Sequence, residues 1–288
     1  MDLAAIVVIQ VLYGISSLVI ISAGLAVIFG MMKVINLAHG EFLMLGGYAT
    51  LGALKLGINL WVAIFVVAPI FVGLVGVVLE RLVIRRLYGR MIDTMLATWG
   101  LSLLLVGIVT SLIGNTTAGI STPLGSFAIG NYSVSVYTLV IIGVAVLLGI
   151  SLRAVLLNTQ FGLIARGTMQ NPQMADALGI SPSRVYSITF AVGAALSGLA
   201  GGLLSPLTGV VPTMGSAFIA KAFITVIGGG PAILAGLVGA STLFGAINQI
   251  AAFLSTPVFG EVALLFAAIV MLRLLPQGIT GRFFKGSL

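Results

Sequence analysis

The chain has 288 residues, of which 60% are hydrophobic and 7% charged, with a net charge of +7 and a mean hydropathy of +1.27. A water-soluble domain carries roughly 25% charged residues, so a soluble globular protein is excluded and most of this surface must face lipid. There is no cysteine and a single histidine, His39, which excludes disulfides, thiolate metal sites, cysteine nucleophiles and histidine metal clusters.

Nine apolar runs follow one another: Ala4 to Met31, Phe42 to Leu54, Trp61 to Ile84, Thr94 to Ile113, Val134 to Leu157, Val185 to Leu207, Ala217 to Ile227, Ala232 to Leu254 and Val262 to Leu275. A helix needs about 20 apolar residues to span a bilayer, and most of these runs suffice. Phe42 to Leu54 and Ala217 to Ile227 are short, so they are tilted, extended by their flanks, or half-spanning. The expectation is an all-α, polytopic transmembrane helical bundle of eight to nine spans, forming one domain over residues 1–288. The start, Met1-Asp2-Leu3, lacks the basic region of a cleaved signal peptide, so the first run is expected to be retained as a span.

The basic residues lie in loops beside the apolar runs, where they set topology and do not imply nucleic-acid binding. Arg81, Arg85, Arg86 and Arg90 mark one connection, Arg153, Arg166 and Arg184 a second, and Arg273, Arg282 and Lys285 the end of the last span. The positive-inside rule makes all three cytoplasmic. Nine crossings then leave the N-terminus outside, the C-terminus inside, and the Gly/Thr/Ser/Asn-rich loop from Asn115 to Tyr132 outside. A glycine pair after a short apolar segment occurs both from Phe42 and from Phe223, an echo of the kind internal repeats leave.

Polar residues inside apolar runs are costly and need a reason. Asn36, His39 and Glu41 fall in the run Asn36-Leu-Ala-His-Gly-Glu41. One reading makes this a helix break lining a solute path. The other makes it a connection at the cytoplasmic end, with Asn36 capping and Glu41 in the first helical turn; the nearby Lys33 favours this second reading. Asn248 and Gln249 either line a path or hydrogen-bond between helices, at about 1 kcal/mol each. Lys221 either lines a path or snorkels to the interface, and Glu80, next to Arg81, reads as part of a surface ion network. Ala194, Gly198 and Gly202, and likewise Gly236 and Ala240, read as stripes for tight helix packing. A P-loop, a G-x-S-x-G elbow and an H-E-x-x-H motif are all missing from the sequence, so enzymatic activity is not expected.

The long polar stretch, about 158–184, carries most information. Asn171 followed by Pro172 reads as an N-cap with proline at the first helical position, and Gly179 as the stop. The helix between them places Met174, Ala177 and Leu178 on one face. A short helix with an exposed apolar face either docks in a partner's groove or lies on the membrane surface.

The pattern Gly162, Arg166, Asn171, Ala175, Gly179, Ile180, together with Val34-Ile-Asn-Leu-Ala-His-Gly-Glu-Phe-Leu-Met-Leu-Gly-Gly-Tyr48 and Ile227-Gly-Gly-Gly-Pro231, resembles the permeases of ABC importers for branched-chain amino acids, urea and short amides over nearly the whole chain. Gly167 stands where that family usually has alanine. Arg85-Arg-Leu-Tyr-Gly-Arg90, Asp93 to Ser102 and Thr168-Met-Gln-Asn171 look more like the urea and amide branch, and Lys221-Ala-Phe223 more like the branched-chain branch, with the balance toward urea or a short amide. The resemblance implies a second related permease, two cytoplasmic ATPases that bind ATP and Mg, a periplasmic solute-binding protein, and a location in the bacterial inner membrane. It implies no cofactor in this chain. It also makes the 171–178 helix the coupling element, carried by Arg166, Asn171, Met174, Ala177, Leu178 and Gly179. The rival expectation is an ATP-independent channel or secondary transporter for a small amide.

Overall fold

The computed structural model describes residues 2–130 and 132–283, with side chains through 281. Lys285 and the side chain of Arg282, both used in the orientation argument, lie outside the described residues, as does Met1. In lipid a backbone must satisfy its own hydrogen bonds, so apolar runs become helices. All nine expected runs do so. They form α1 (Asp2–Met32), α2 (His39–Lys55), α3 (Leu60–Val62) continuing through a π-helical turn (Ala63–Val67) into α4 (Ala68–Leu82), α5 (Met91–Ile113), α6 (Val136–Asn158), α9 (Pro182–Thr208), α10 (Met214–Gly229), α11 (Ile233–Leu254) and α12 (Pro257–Leu274). Among the described residues, seven helices are long and apolar enough to cross a membrane. The two segments expected to be short are short: α2 has 17 residues and α10 has 16, which at 1.5 Å per residue is about 25 Å against a hydrocarbon core of about 30 Å.

Smaller elements depart from the sequence reading. The 115–132 loop is not irregular throughout, because β1 (Ser126–Ile129) pairs antiparallel with β2 (Tyr132–Ser135), Ser126 facing Ser135. The polar 158–184 stretch is mostly helical, with α7 (Gln160–Gln170) preceding the expected short helix, α8 (Pro172–Ala177). The glycine pairs that echo each other in the Phe42 and Phe223 segments sit differently. Gly46 and Gly47 lie inside α2, whereas Gly229 ends α10 and Gly230, at φ +86°, makes the turn into α11.

The chain falls into two compact units, each described by itself. One comprises the described parts of Met1–Ser22, Thr122–Ser151 and Lys221–Leu288; the other comprises Ala23–Ser121 and Leu152–Ala220. In the first, Leu18, Ala240, Phe244, Leu264, Ala268 and Met271 form a buried core, and Gly236 lies backbone to backbone with Gly229. In the second, α9 packs along α4 and α2. Its pairing with α4 is antiparallel, from Glu80 beside Ser187 to Ala68 beside Gly202. The Ala194, Gly198, Gly202 stripe is used as expected: a Cβ on Gly198 would stand 2.7 Å from the Ala68 carbonyl, and one on Gly76 2.5 Å from the Ala194 Cβ.

Candidate functional site

Local sequence accounts for the helical loop. The Thr159 hydroxyl accepts from the Gly162 amide at 3.1 Å and starts α7. Gly162 has no alternative there, because a Cβ would overlap the carbonyls of Val155 and Leu156 at the tight turn out of α6. The Arg166 guanidinium donates to the Gly162 carbonyl at 3.3 Å, a bond within α7. Asn171 Oδ1 accepts from the Met174 amide at 2.9 Å as the N-cap of α8. Gly179, at φ +81°, ends it in the left-handed conformation that glycine takes without penalty. Ala175 is the buried residue of this helix. Met174, Ala177 and Leu178 stay exposed, Met174 at 58% and Leu178 at 73%. This is an apolar face outside the long helices that the described chain does not cover.

The second cluster surrounds the break between α1 and α2. Asn36, His39 and Glu41 are all buried. Asn36 is not the N-cap; that position is Ala38, without a side-chain cap, and Asn36 Oδ1 instead accepts from the Ala38 amide at 3.1 Å. Thr98 holds the irregular backbone, accepting from the Leu37 amide at 3.0 Å and donating to the Ile35 carbonyl at 3.3 Å. Ser102 donates to Glu41 Oε1 at 2.8 Å, and His39 Nδ1 lies 3.2 Å from the Ser197 hydroxyl. Asn36 Nδ2 and Glu41 Oε2 are buried with no hydrogen-bond partner among the described residues.

The depth of this cluster corrects the reading of it as a connection at the helix ends. Ser197 lies ten residues along α9 from Ser187, or about 15 Å, and Ser187 is the residue that meets Glu80 near the end of α4. The break therefore lies well inside the run of the helices, where non-helical backbone is tolerated only when protein or a cavity surrounds it. There the starts of the two short helices meet. Gly40 and Gly215 touch backbone to backbone, and a Cβ on Gly215 would stand 2.5 Å from Glu41 Oε2. Two helix N-termini at one point favour negative charge.

Asn248 and Gln249 lie on α11, in the other compact unit, so the sequence-derived path residues are not all brought together within one unit. Gln249 Nε2 donates to Gln10 Oε1 at 3.3 Å, an interhelical bond, while Asn248 Nδ2 is buried and unpaired among the described residues. Two further readings are corrected. Lys221 pairs with Glu261 at 2.6 Å rather than snorkelling alone. Glu80 is fully buried rather than part of a surface network, and its ion-pair partner is Arg85. Arg85 donates to both Glu80 oxygens at 3.2 Å, and Tyr88 and Ser187 complete the shell. The hydrogen bond to Glu80 raises Arg85 above its ordinary pKa, and burial with the same carboxylate raises the Tyr88 phenol, so Tyr88 remains a donor.

Sequence reading missed Thr98 and Ser102. A signal existed: Thr94, Thr98 and Ser102 recur every four residues along an otherwise apolar helix and so share one face. Ser187, Ser197 and Gln10 had no comparable signal.

The model of a family described as "Branched-chain amino acid transport system / permease component" matches residues 7–275. The chain is 30% identical over 291 residues to the "Probable branched-chain amino acid transport permease protein LivH" of Methanocaldococcus jannaschii, covering 93% of this chain and 90% of that protein. It is 28% identical over 284 residues to the "High-affinity branched-chain amino acid transport system permease protein LivH" of Escherichia coli, covering 93% and 92%. The same identity and coverage hold for BraD of Pseudomonas aeruginosa, described in the same words. These descriptions name branched-chain amino acids, not urea or amides. No solved structure matches the chain.

Proposed function

Because this chain belongs to the family of branched-chain amino acid transport system permease components, we propose that it is the membrane-spanning subunit of an ATP-driven importer. It is a multi-pass, non-catalytic protein of the bacterial inner membrane. Its partners are a second related permease, two cytoplasmic ATPases that hold ATP and Mg, and a periplasmic solute-binding protein. The observation that carries the ATP-driven reading over a passive channel is α8, a capped helix with an apolar face left open outside the long helices. Such a face fits a groove on a soluble partner.

Three of the four unit boundaries, at Ser22, Ser151 and Ala220, fall inside α1, α6 and α10, which supports one permease domain over residues 1–288. Nine crossings with a cytoplasmic C-terminus fit the contacts. The Asp2 carboxylate lies against Gly130, so the first residues share a side with the 115–132 loop. Four helices intervene, and counting α2 as a crossing keeps that number even, which supports the nine-span reading. Lys221 beside Glu261, and Thr280 bonded to the Gly229 carbonyl at 2.6 Å, make α10 and α12 run in the same direction. Cysteine introduced at the exposed Thr116 is expected to react with an impermeant maleimide on intact cells, and cysteine at the exposed Gln170 is not. The reverse pattern overturns the orientation.

The solute path passes the α1–α2 break. An open donor on Asn36 and an open acceptor on Glu41, at two helix starts, offer the complement of a small zwitterion or amide once this cluster opens. A branched-chain amino acid is the first reading, from the relatives. Urea or a short amide is the second, favoured by the Asp93–Ser102 segment, whose Thr98 and Ser102 reach this cluster. Uptake into proteoliposomes containing all subunits is expected to need ATP and to stop with vanadate. Leucine and valine are expected to compete. Competition by urea and acetamide alone selects the second reading, and uptake without ATP overturns the importer itself.

A further inference from the structure

Beside the Glu80 network, α4 and α9 together line a cavity of about 510 Å³. Its lining has two parts. Arg81, Arg85 and Arg184 stand at one end, and Val77, Ile188, Ala191 and Val192 form the wall that runs on between the two helices.

The charges are unequal in what they face. Arg85 is committed: two of its nitrogens are bonded to the buried Glu80 carboxylate, and one of these also reaches Ser187. That pair is electrically closed. Arg81 and Arg184 have no ion pair or side-chain hydrogen bond among the described residues. The cavity therefore holds two uncompensated guanidiniums above an apolar groove. The groove opens onto the outer faces of the two helices, where Val78 is 53% and Ile188 49% exposed. A soluble anion would satisfy the arginines and leave the groove unfilled, and a hydrocarbon chain would do the opposite. Guanidinium pairs phosphate bidentately, and basic pockets between membrane helices take phospholipid headgroups.

We propose that this cavity is a binding site for one anionic phospholipid, with its phosphate on Arg81 and Arg184 and an acyl chain along Val77, Ile188, Ala191 and Val192. The lipid wedges the α4–α9 pair at the end where Glu80 and Ser187 join them. The site is independent of the solute and of the direction of transport.

The test uses the full chain purified in neutral detergent, with phosphatidylglycerol or phosphatidylcholine added at equal mole fraction and bound lipid counted by native mass spectrometry. The wild-type chain is expected to keep phosphatidylglycerol selectively. The double variant Arg81→Gln, Arg184→Gln alters two exposed side chains and leaves the Glu80–Arg85 pair intact. Its retention should fall by roughly thirty-fold, about a factor of five for each basic group near a headgroup. Val192→Trp fills the groove while keeping every charge, and it should lower retention as well. Equal retention of the two lipids overturns the proposal, as does unchanged retention in the double variant. Full displacement of phosphatidylglycerol by inorganic phosphate also overturns it, because the site would then be one for a free anion. Unchanged retention in Val192→Trp would remove the acyl-chain part and with it the lipid.

Discussion

Met174→Asp is expected to abolish solute uptake while the chain still inserts and folds. Met174 is 58% exposed, lies outside the long helices, and supports no buried contact that the substitution would break. Asn171 still caps α8 through the Met174 amide, which any residue at 174 provides. The change falls on the apolar face shared with Ala177 and Leu178. If that face sits in an ATPase groove, the carboxylate is buried without a counter-charge, which costs about 2–5 kcal/mol at an interface, or roughly thirty-fold or more in affinity. Co-purification of the ATPases with the variant, beside wild type in the same detergent, reads the effect directly. Asp176→Asn, about 200° around α8 from Met174, also changes the charge of this exposed helix by one unit but on its other side, and should keep the ATPases bound. Full co-purification and normal solute-stimulated ATP hydrolysis with Met174→Asp would mean that α8 does not transmit the ATPase stroke.

Gly201→Val is expected to have the largest effect on the fold. Gly201 is buried on α9 where α2 crosses it, and a Cβ there would overlap the backbone carbonyl of Leu43. The obstacle is main chain, which has no alternative rotamer. Gly46 and Gly198 repeat the close approach at the same crossing. Relief requires α2 and α9 to separate, which would also pull His39 from Ser197 and loosen the α1–α2 break. Overpacking a filled site costs about 1–3 kcal/mol when side chains can yield, and backbone yields less. A large fall in membrane yield and in the detergent unfolding midpoint is expected. Gly52→Ala is the control, since nothing lies within 4 Å of a Cβ at that α2 position; it should be neutral or slightly stabilising. An unchanged midpoint in Gly201→Val would show that α2 and α9 do not pack this closely.

What could be read from the sequence follows from which forces act locally. The helices were legible because, in lipid, a long unbroken apolar run can satisfy its backbone hydrogen bonds within itself only as a helix. The α8 motif was legible because capping is local: Asn171, Pro172 and Gly179 each act within four residues of themselves. The Asn36–Glu41 segment was not. Its residue types fit a helix start at the membrane rim, and Lys33 strengthened that reading. Its depth is set by Ser197 and Ser102, residues far away in the chain that meet it only through packing. Glu80 misled for the same reason. Its neighbour Arg81 suggested a rim network, while the charge that compensates it is Arg85, delivered by a short 3₁₀ turn from Ile84 to Leu87 after α4.

The π-helical turn at Ala63–Val67 left no trace in the hydropathy, since every residue around it is apolar. Only Pro69, which lacks an amide hydrogen and follows directly, marks the place. In that turn the Ala68 amide reaches back five residues to the Ala63 carbonyl. A π turn carries one residue more than a regular turn, and one residue is about 100° of rotation about the helix axis. Everything after it on α4 is thus phased by that single residue relative to Trp61 and Val62. Gly73, Gly76 and Glu80 lie against α9 in this phase. With an unbroken α-helical winding they would be turned aside by about a quarter of a circle, and a carboxylate would face hydrocarbon. The turn acts as an angular spacer, one residue long, that aligns two helical faces whose sequences could not otherwise be in register.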